Sequence, residues 1–151
     1  MNRKSLQELL AEELKKPTKK HHRDAEHRLQ VACVTWFRYA YPHLAHALFA
    51  VPNGGWRNEA TGAKLKAEGV TAGVADLILL HPSGFGHYAL LIEMKTEEGR
   101  QSMAQRRWEE AIEKSGDGIY RYKVIRSEQE FRMEIEWYLN LGKYGRVDTD
   151  K

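Results

Sequence analysis

The sequence predicts an α/β domain, a mixed central β-sheet flanked by helices, and three observations lead there. Segments with apolar residues at helical spacing alternate with short, nearly continuous apolar runs. Turn-forming residues punctuate them at Pro17, Pro42, residues 52–55, Gly69 and residues 82–86. The length of 151 residues, 42% of them hydrophobic, suits a single core that buries roughly two-thirds of the unfolded surface.

The elements follow in order. Residues 5–16 carry Leu6, Leu9, Leu10 and Leu14 at helical spacing, with Ser5 and Glu8 in capping-box register and Pro17 just beyond. Residues 17–23 read as a basic linker. From Glu26, the positions Leu29, Ala32, Cys33, Trp36, Phe37 and Ala40 repeat every 3.6 residues until Pro42, giving a helix whose buried side includes Glu26. Residues 46–51 read as a strand and 57–68 as a helix interrupted by Gly62 and stopped by Gly69. A strand over 75–80, a turn over 82–86 and a strand over 88–94 form a hairpin. A helix over 102–113, capped by Ser102, aligns Gln105, Trp108 and Ile112; a strand over 120–125 and a helix over 127–139, capped by Ser127, complete the series. The organisation expected is an N-terminal helix and linker over 1–23, a folded domain over 24–141 and a tail over 142–151.

No apolar run reaches the roughly 18 residues of a membrane span, and the N-terminus is charged rather than signal-like, so a soluble, cytoplasmic protein is expected. The lone Cys33 excludes an internal disulfide and a thiolate zinc site. Of the net charge of +3, residues 1–23 contribute seven Lys/Arg against three Glu, an excess of four that leaves the rest at minus one. Such a basic arm suits phosphate contact and also serves as a solubilising segment.

The chemistry sits in the hairpin. In residues 90–95, alternation puts Leu91, Glu93 and Lys95 on one face and Leu90, Ile92 and Met94 on the other. Asp76 interrupts the preceding strand, which otherwise has the pattern of a buried sheet interior. A hairpin bringing Asp76 beside Glu93 creates a carboxylate pair that calls for a divalent cation. Mg²⁺ suits it, since this ion prefers oxygen ligands and needs only one or two carboxylates, and the Met94 carbonyl offers another oxygen. Lys95 is then placed to orient or deprotonate water and to offset charge on phosphoryl oxygens. The bland reading of Glu93 and Lys95 is the solvent face of an amphipathic strand; Asp76 is what makes them anomalous.

The segments Glu26-His-Arg-Leu-Gln30, Val51-Pro-Asn-Gly-Gly55, Gly69-Val-Thr-Ala-Gly-Val-Ala-Asp-Leu77, Ile92-Glu-Met-Lys95, Gly99-Arg-Gln-Ser102 and Gln105 together resemble the VRR-NUC family, a branch of the PD-(D/E)XK nuclease superfamily. The resemblance spans residues 24–139. It implies a restriction-endonuclease-like fold and a Mg²⁺- or Mn²⁺-dependent DNA endonuclease that recognises DNA structure. Stand-alone members occur in bacteria and phages, with isolated domains similar to homodimeric Holliday-junction resolvases. Carried over by position, Asp76 and Glu93 become metal ligands, Lys95 the catalytic lysine, Glu26 an accessory acid and Gln105 a supporting residue. Ala75 stands where the family commonly has proline, a position that supplies no catalytic atom. Asn53, Arg57, Lys64 and Lys66 are candidates for DNA contact, against ordinary turn and solvated-helix roles.

Competing readings are a non-catalytic DNA-binding module on a nuclease fold and a sequence-specific restriction-like endonuclease. The seven histidines lack a compact ligand pattern, which argues against a histidine-based nuclease. Trp56, beside the Gly-rich turn, is a candidate surface for DNA or a second subunit.

Overall fold

A computed structural model of the chain describes residues 19–52, 59–84 and 86–144. The helix expected over 5–16, and Asn53, Trp56 and Arg57, lie outside the described residues. Helix α1 (Lys19–Ala40) includes residues 19–23, where the sequence pattern predicts a linker. No Gly or Pro interrupts that stretch, and His22 is tied down, its Nδ1 lying 3.1 Å from Thr96 Oγ1. A single 3₁₀ turn (Pro42–Leu44) leads to strand β1 (Leu48–Ala50), helix α2 (Glu59–Ala67) and strand β2 (Leu77–Leu79). Strand β3 (Ala89–Met94), helix α3 (Met103–Gly116), strand β4 (Tyr120–Ile125) and helix α4 (Glu128–Tyr144) follow.

The sheet has the order β1-β2-β3-β4, antiparallel through β3 and parallel between β3 and β4. This is the mixed, helix-flanked sheet expected. Strands β1 and β2 are shorter than predicted, yet hydrogen bonds continue beyond both ends: Leu80 N donates to Ala47 O and Val51 N to Asp76 O, each at 2.9 Å. Helix α3 outruns its prediction and stops where Asp117 and Gly118 adopt positive φ angles. Helix α4 continues to Tyr144, into the stretch expected to be tail.

The alternation of β3 divides two layers. Leu90, Ile92 and Met94, with Leu77, Leu79 and Ile125, pack against Cys33, Phe37, Phe131, Ile135 and Tyr138 of α1 and α4. Each such side chain contributes about 1.5–3 kcal/mol by burial. Cys33 is buried here, and that burial pushes its thiol up to about 12, which makes it the apolar filler expected. On the other face, Ala75, Ala89 and Leu91 pack under Trp108 and Ile112 of α3. The hydroxyl of Tyr138 donates to His81 O at 2.8 Å, anchoring the connection between β2 and β3. Among the described residues no helix is long and apolar enough to cross a membrane.

Candidate active site

Strand register builds the site. Leu77 pairs with Ile92, so Asp76, one residue before, lies opposite Glu93, one residue after. Asp76 Oδ2 accepts the Met94 backbone N–H at 2.8 Å, which orients the carboxylate onto the end of β3. The approach depends on Gly73, whose φ of +84° favours glycine. A Cβ there would collide with the Ala104 carbonyl and sit 2.8 Å from Gln105 N, so only glycine lets this loop lie against the start of α3.

Glu93 is completely buried, and its carboxylate is surrounded by donors. Lys95 Nζ lies 2.7 Å from Oε1, Gln105 Nε2 donates to the same oxygen, and the Tyr122 hydroxyl reaches Oε2 at 3.5 Å. Burial raises the Glu93 carboxyl to about 7, the negative charge of Asp76 adds to the rise, and Lys95 opposes both. Lys95 is itself buried, and its ammonium also lies 3.8 Å from Glu26 Oε1 on α1. The cluster thus holds three carboxylates, those of Glu26, Asp76 and Glu93, and one ammonium. That excess of negative charge, partly removed from water, fits a divalent cation.

Gln105 does two jobs with one amide. Its Oε1 accepts Ser102 N at 2.7 Å while Gln105 N donates to Ser102 Oγ at 3.2 Å, the reciprocal pair of a capping box. With Oε1 engaged at the helix start, Nε2 is left facing Glu93. Arg126 braces the turn after Lys95, its guanidinium donating to Gly99 O at 2.6 Å and Thr96 O at 2.7 Å.

Glu26, Asp76, Glu93, Lys95 and Gln105 therefore converge. Lys64 does not join them; it stands exposed on α2, 3.8 Å from Glu68. Tyr122 escapes sequence reasoning, because its place on the Leu91 side follows from the pairing of β4 with β3, which no local pattern declares. Gln101 has no role predicted from sequence; it donates to Glu109 Oε2 at 2.8 Å and to Tyr122 Oη at 3.3 Å, extending the network behind Glu93. Its position in the segment 99–102, just before the helix cap, is the signal that could have found it.

The donor set fits Mg²⁺ as two facing carboxylates, the pattern that ion commonly uses. Among the described residues, no group of three His, Cys, Asp or Glu side chains is arranged to hold a metal. The third carboxylate, Glu26, meets the cluster through Lys95.

The family model for the VRR-NUC domain matches residues 5–129, a span containing every residue of this cluster. The chain belongs to the VRR-NUC family. Its similarity extends to a solved structure described as a VRR_NUC domain protein, with a TM-score of 0.65 at 26% identity, covering 78% of this chain and 89% of that one. No curated protein matches the chain. The VRR-NUC match begins well before residue 24, taking in the segment expected to be helix and linker, and ends in the first residues of α4. Membership brings the nuclease-type fold of the PD-(D/E)XK superfamily, whose hairpin carries Asp76, Glu93 and Lys95 here.

Proposed function

We propose that this VRR-NUC chain is a Mg²⁺-dependent endonuclease that hydrolyses phosphodiester bonds in branched or otherwise structured DNA, resolving four-way junctions as a homodimer. The observation that carries the reading is the meeting of Asp76 with the buried Glu93 and Lys95 at the ends of β2 and β3. Asp76 and Glu93 would hold Mg²⁺, or Mn²⁺ in its place, with the Met94 carbonyl as a further ligand. When bound, such an ion polarises a phosphoryl oxygen and lowers the pKa of water.

The side chains supply the rest. Lys95 orients the attacking water and offsets negative charge on the phosphoryl oxygens. Water donates its oxygen to phosphorus, the bond from phosphorus to one ester oxygen breaks, and that oxygen leaves with a proton. Glu26, within reach of Lys95, is the accessory acid, and Gln105 holds Glu93 in place. Asn53, Arg57 and Lys64 contact DNA phosphates and sugars, positioning the substrate without reading sequence. A four-way junction has two strands to cut, so one active site per chain calls for a two-fold dimer.

Incubation with Mg²⁺ or Mn²⁺ and synthetic four-way junctions, flaps and linear duplexes tests the activity. The expected result is metal-dependent cutting of the branched substrates; inactivity on all of them with both ions would overturn it. Sedimentation with and without junction DNA tests the dimer.

A further inference from the structure

We propose that Tyr122 is a positioning residue that fixes the cation-facing oxygen of Glu93 and so sets how tightly the cluster takes a divalent cation. This inference rests on the nuclease reading, in which Asp76 and Glu93 hold the metal, and it gives a task to a side chain that the reading leaves idle.

An ionised carboxylate offers about four lone pairs, two on each oxygen. On Glu93 both of those on Oε1 are engaged, by Lys95 Nζ at 2.7 Å and by Gln105 Nε2. Among the described residues Oε2 meets a single donor, the Tyr122 hydroxyl at 3.5 Å. The lone pair left for a cation is therefore on Oε2. Two donors on one oxygen leave a planar group able to swing about that point. A third donor, on the other oxygen, fixes its plane.

Tyr122 reaches Oε2 through strand register. Strand β4 pairs Tyr122 with Leu91 and Val124 with Glu93, so the phenol lies diagonal to Glu93 on the same sheet face. Trp108 of α3 flanks its ring, with centroids 6.1 Å apart. The direction of the hydrogen bond is set from behind. The Glu109 carboxylate only accepts, so the Gln101 amide turns its nitrogen to it at 2.8 Å, and the same nitrogen donates to Tyr122 Oη at 3.3 Å. A phenol has one proton, and with Gln101 donating to its oxygen that proton is left for Glu93. The chain thus runs one way, from Gln101 through Tyr122 to Glu93. Hydrogen-bond partners behind a metal-binding carboxylate change metal affinity by roughly 10- to 100-fold when removed.

The experiment titrates Mn²⁺ alone into the intact chain by calorimetry, without DNA. Tyr122→Phe keeps the ring and removes the donor; it is expected to weaken Mn²⁺ binding about tenfold. Gln101→Met leaves the phenol its proton and should weaken binding in the same direction by less. Trp108→Phe, which disturbs the packing of the same ring without touching a hydrogen bond, should leave the affinity unchanged. In junction cutting, Tyr122→Phe should raise the Mg²⁺ concentration for half-maximal rate, with the rate at saturating Mg²⁺ largely restored. Unchanged Mn²⁺ affinity in Tyr122→Phe, a larger loss in Gln101→Met than in Tyr122→Phe, or an equal loss in Trp108→Phe would each overturn the assignment. If the wild-type protein cuts four-way junctions and Tyr122→Phe binds Mn²⁺ as tightly, the role of Tyr122 fails and the nuclease function stands. If Tyr122→Phe alone weakens Mn²⁺ binding about tenfold and the wild type cuts no DNA, the role of Tyr122 stands and the nuclease function fails.

Discussion

Toward α1 and α4, the sheet presents Leu77, Leu79, Leu90, Ile92 and Met94 to Phe37, Phe131, Ile135 and Tyr138, all essentially excluded from solvent. Toward α3, the same strands present Ala75, Ala89 and Leu91, and then Glu93. The first layer is thick and apolar. The second is thin, and near the C-terminal end of β3 its contacts are hydrogen bonds and ion pairs. One strand serves both because its side chains alternate. Stability and chemistry are therefore separable across a single sheet: carboxylates that would be ruinous in the thick layer are held in the thin one by Lys95, Gln105 and Tyr122.

Breaking each face in turn should separate the two quantities. The largest effect expected is on activity: Lys95→Ala should lower junction cutting by about 10²- to 10⁴-fold, with DNA binding largely spared, as single-turnover kinetics and anisotropy would report. Phe131→Ala, in the thick layer, should cost about 3–5 kcal/mol in urea unfolding, while the folded fraction keeps its rate per active site. If that rate collapses as well, the faces are not independent.

Gly73→Ala tests the thin layer where the loop meets α3. The clash and the positive φ together should cost about 2–4 kcal/mol, and this time activity should fall with stability because the same loop carries Asp76.

A pH series sharpens the contrast. The Glu93 carboxyl is raised to about 7 in the folded protein, above its ordinary value, so its contribution to stability is full below about 4.5 and is lost as pH rises through 7. In EDTA, thermal unfolding should therefore show stability falling between pH 5 and pH 8, and saturating Mg²⁺ should reduce that fall. The smallest effect expected is that of Lys64→Ala, which should leave folding unchanged and lower the salt slope of DNA binding by at most about 0.9, one phosphate contact.

Much of this was legible in the sequence, for a physical reason. Period-two alternation in residues 90–95 and the intrusion of Asp76 into an apolar run are local signals, and both survive into the structure as one pair of facing carboxylates. The capping residue Ser102 was equally local. Relations between distant elements were harder to read. Tyr122 joins Glu93 only because β4 lies parallel to β3, and Arg126 reaches back to the turn after Lys95 across nearly thirty residues. Helix ends also escaped: α1 starts ahead of its apolar stripe, through residues 19–23 that hold no Gly or Pro, and α4 runs on to Tyr144 through Gly142, a residue type that commonly marks a helix end.

The amide of Gln105 couples two events usually treated apart, the nucleation of a helix and the arming of a site. Its oxygen closes the first turn of α3, and its nitrogen holds Glu93. Fraying of that turn frees the amide to rotate, so the carboxylate loses its restraint whenever the helix start opens. Amide-exchange protection at the first turn of α3 thus becomes a reporter of how much of the folded population is competent at any instant. A substitution that improves the cap at the expense of the amide would yield a more stable helix attached to a looser carboxylate.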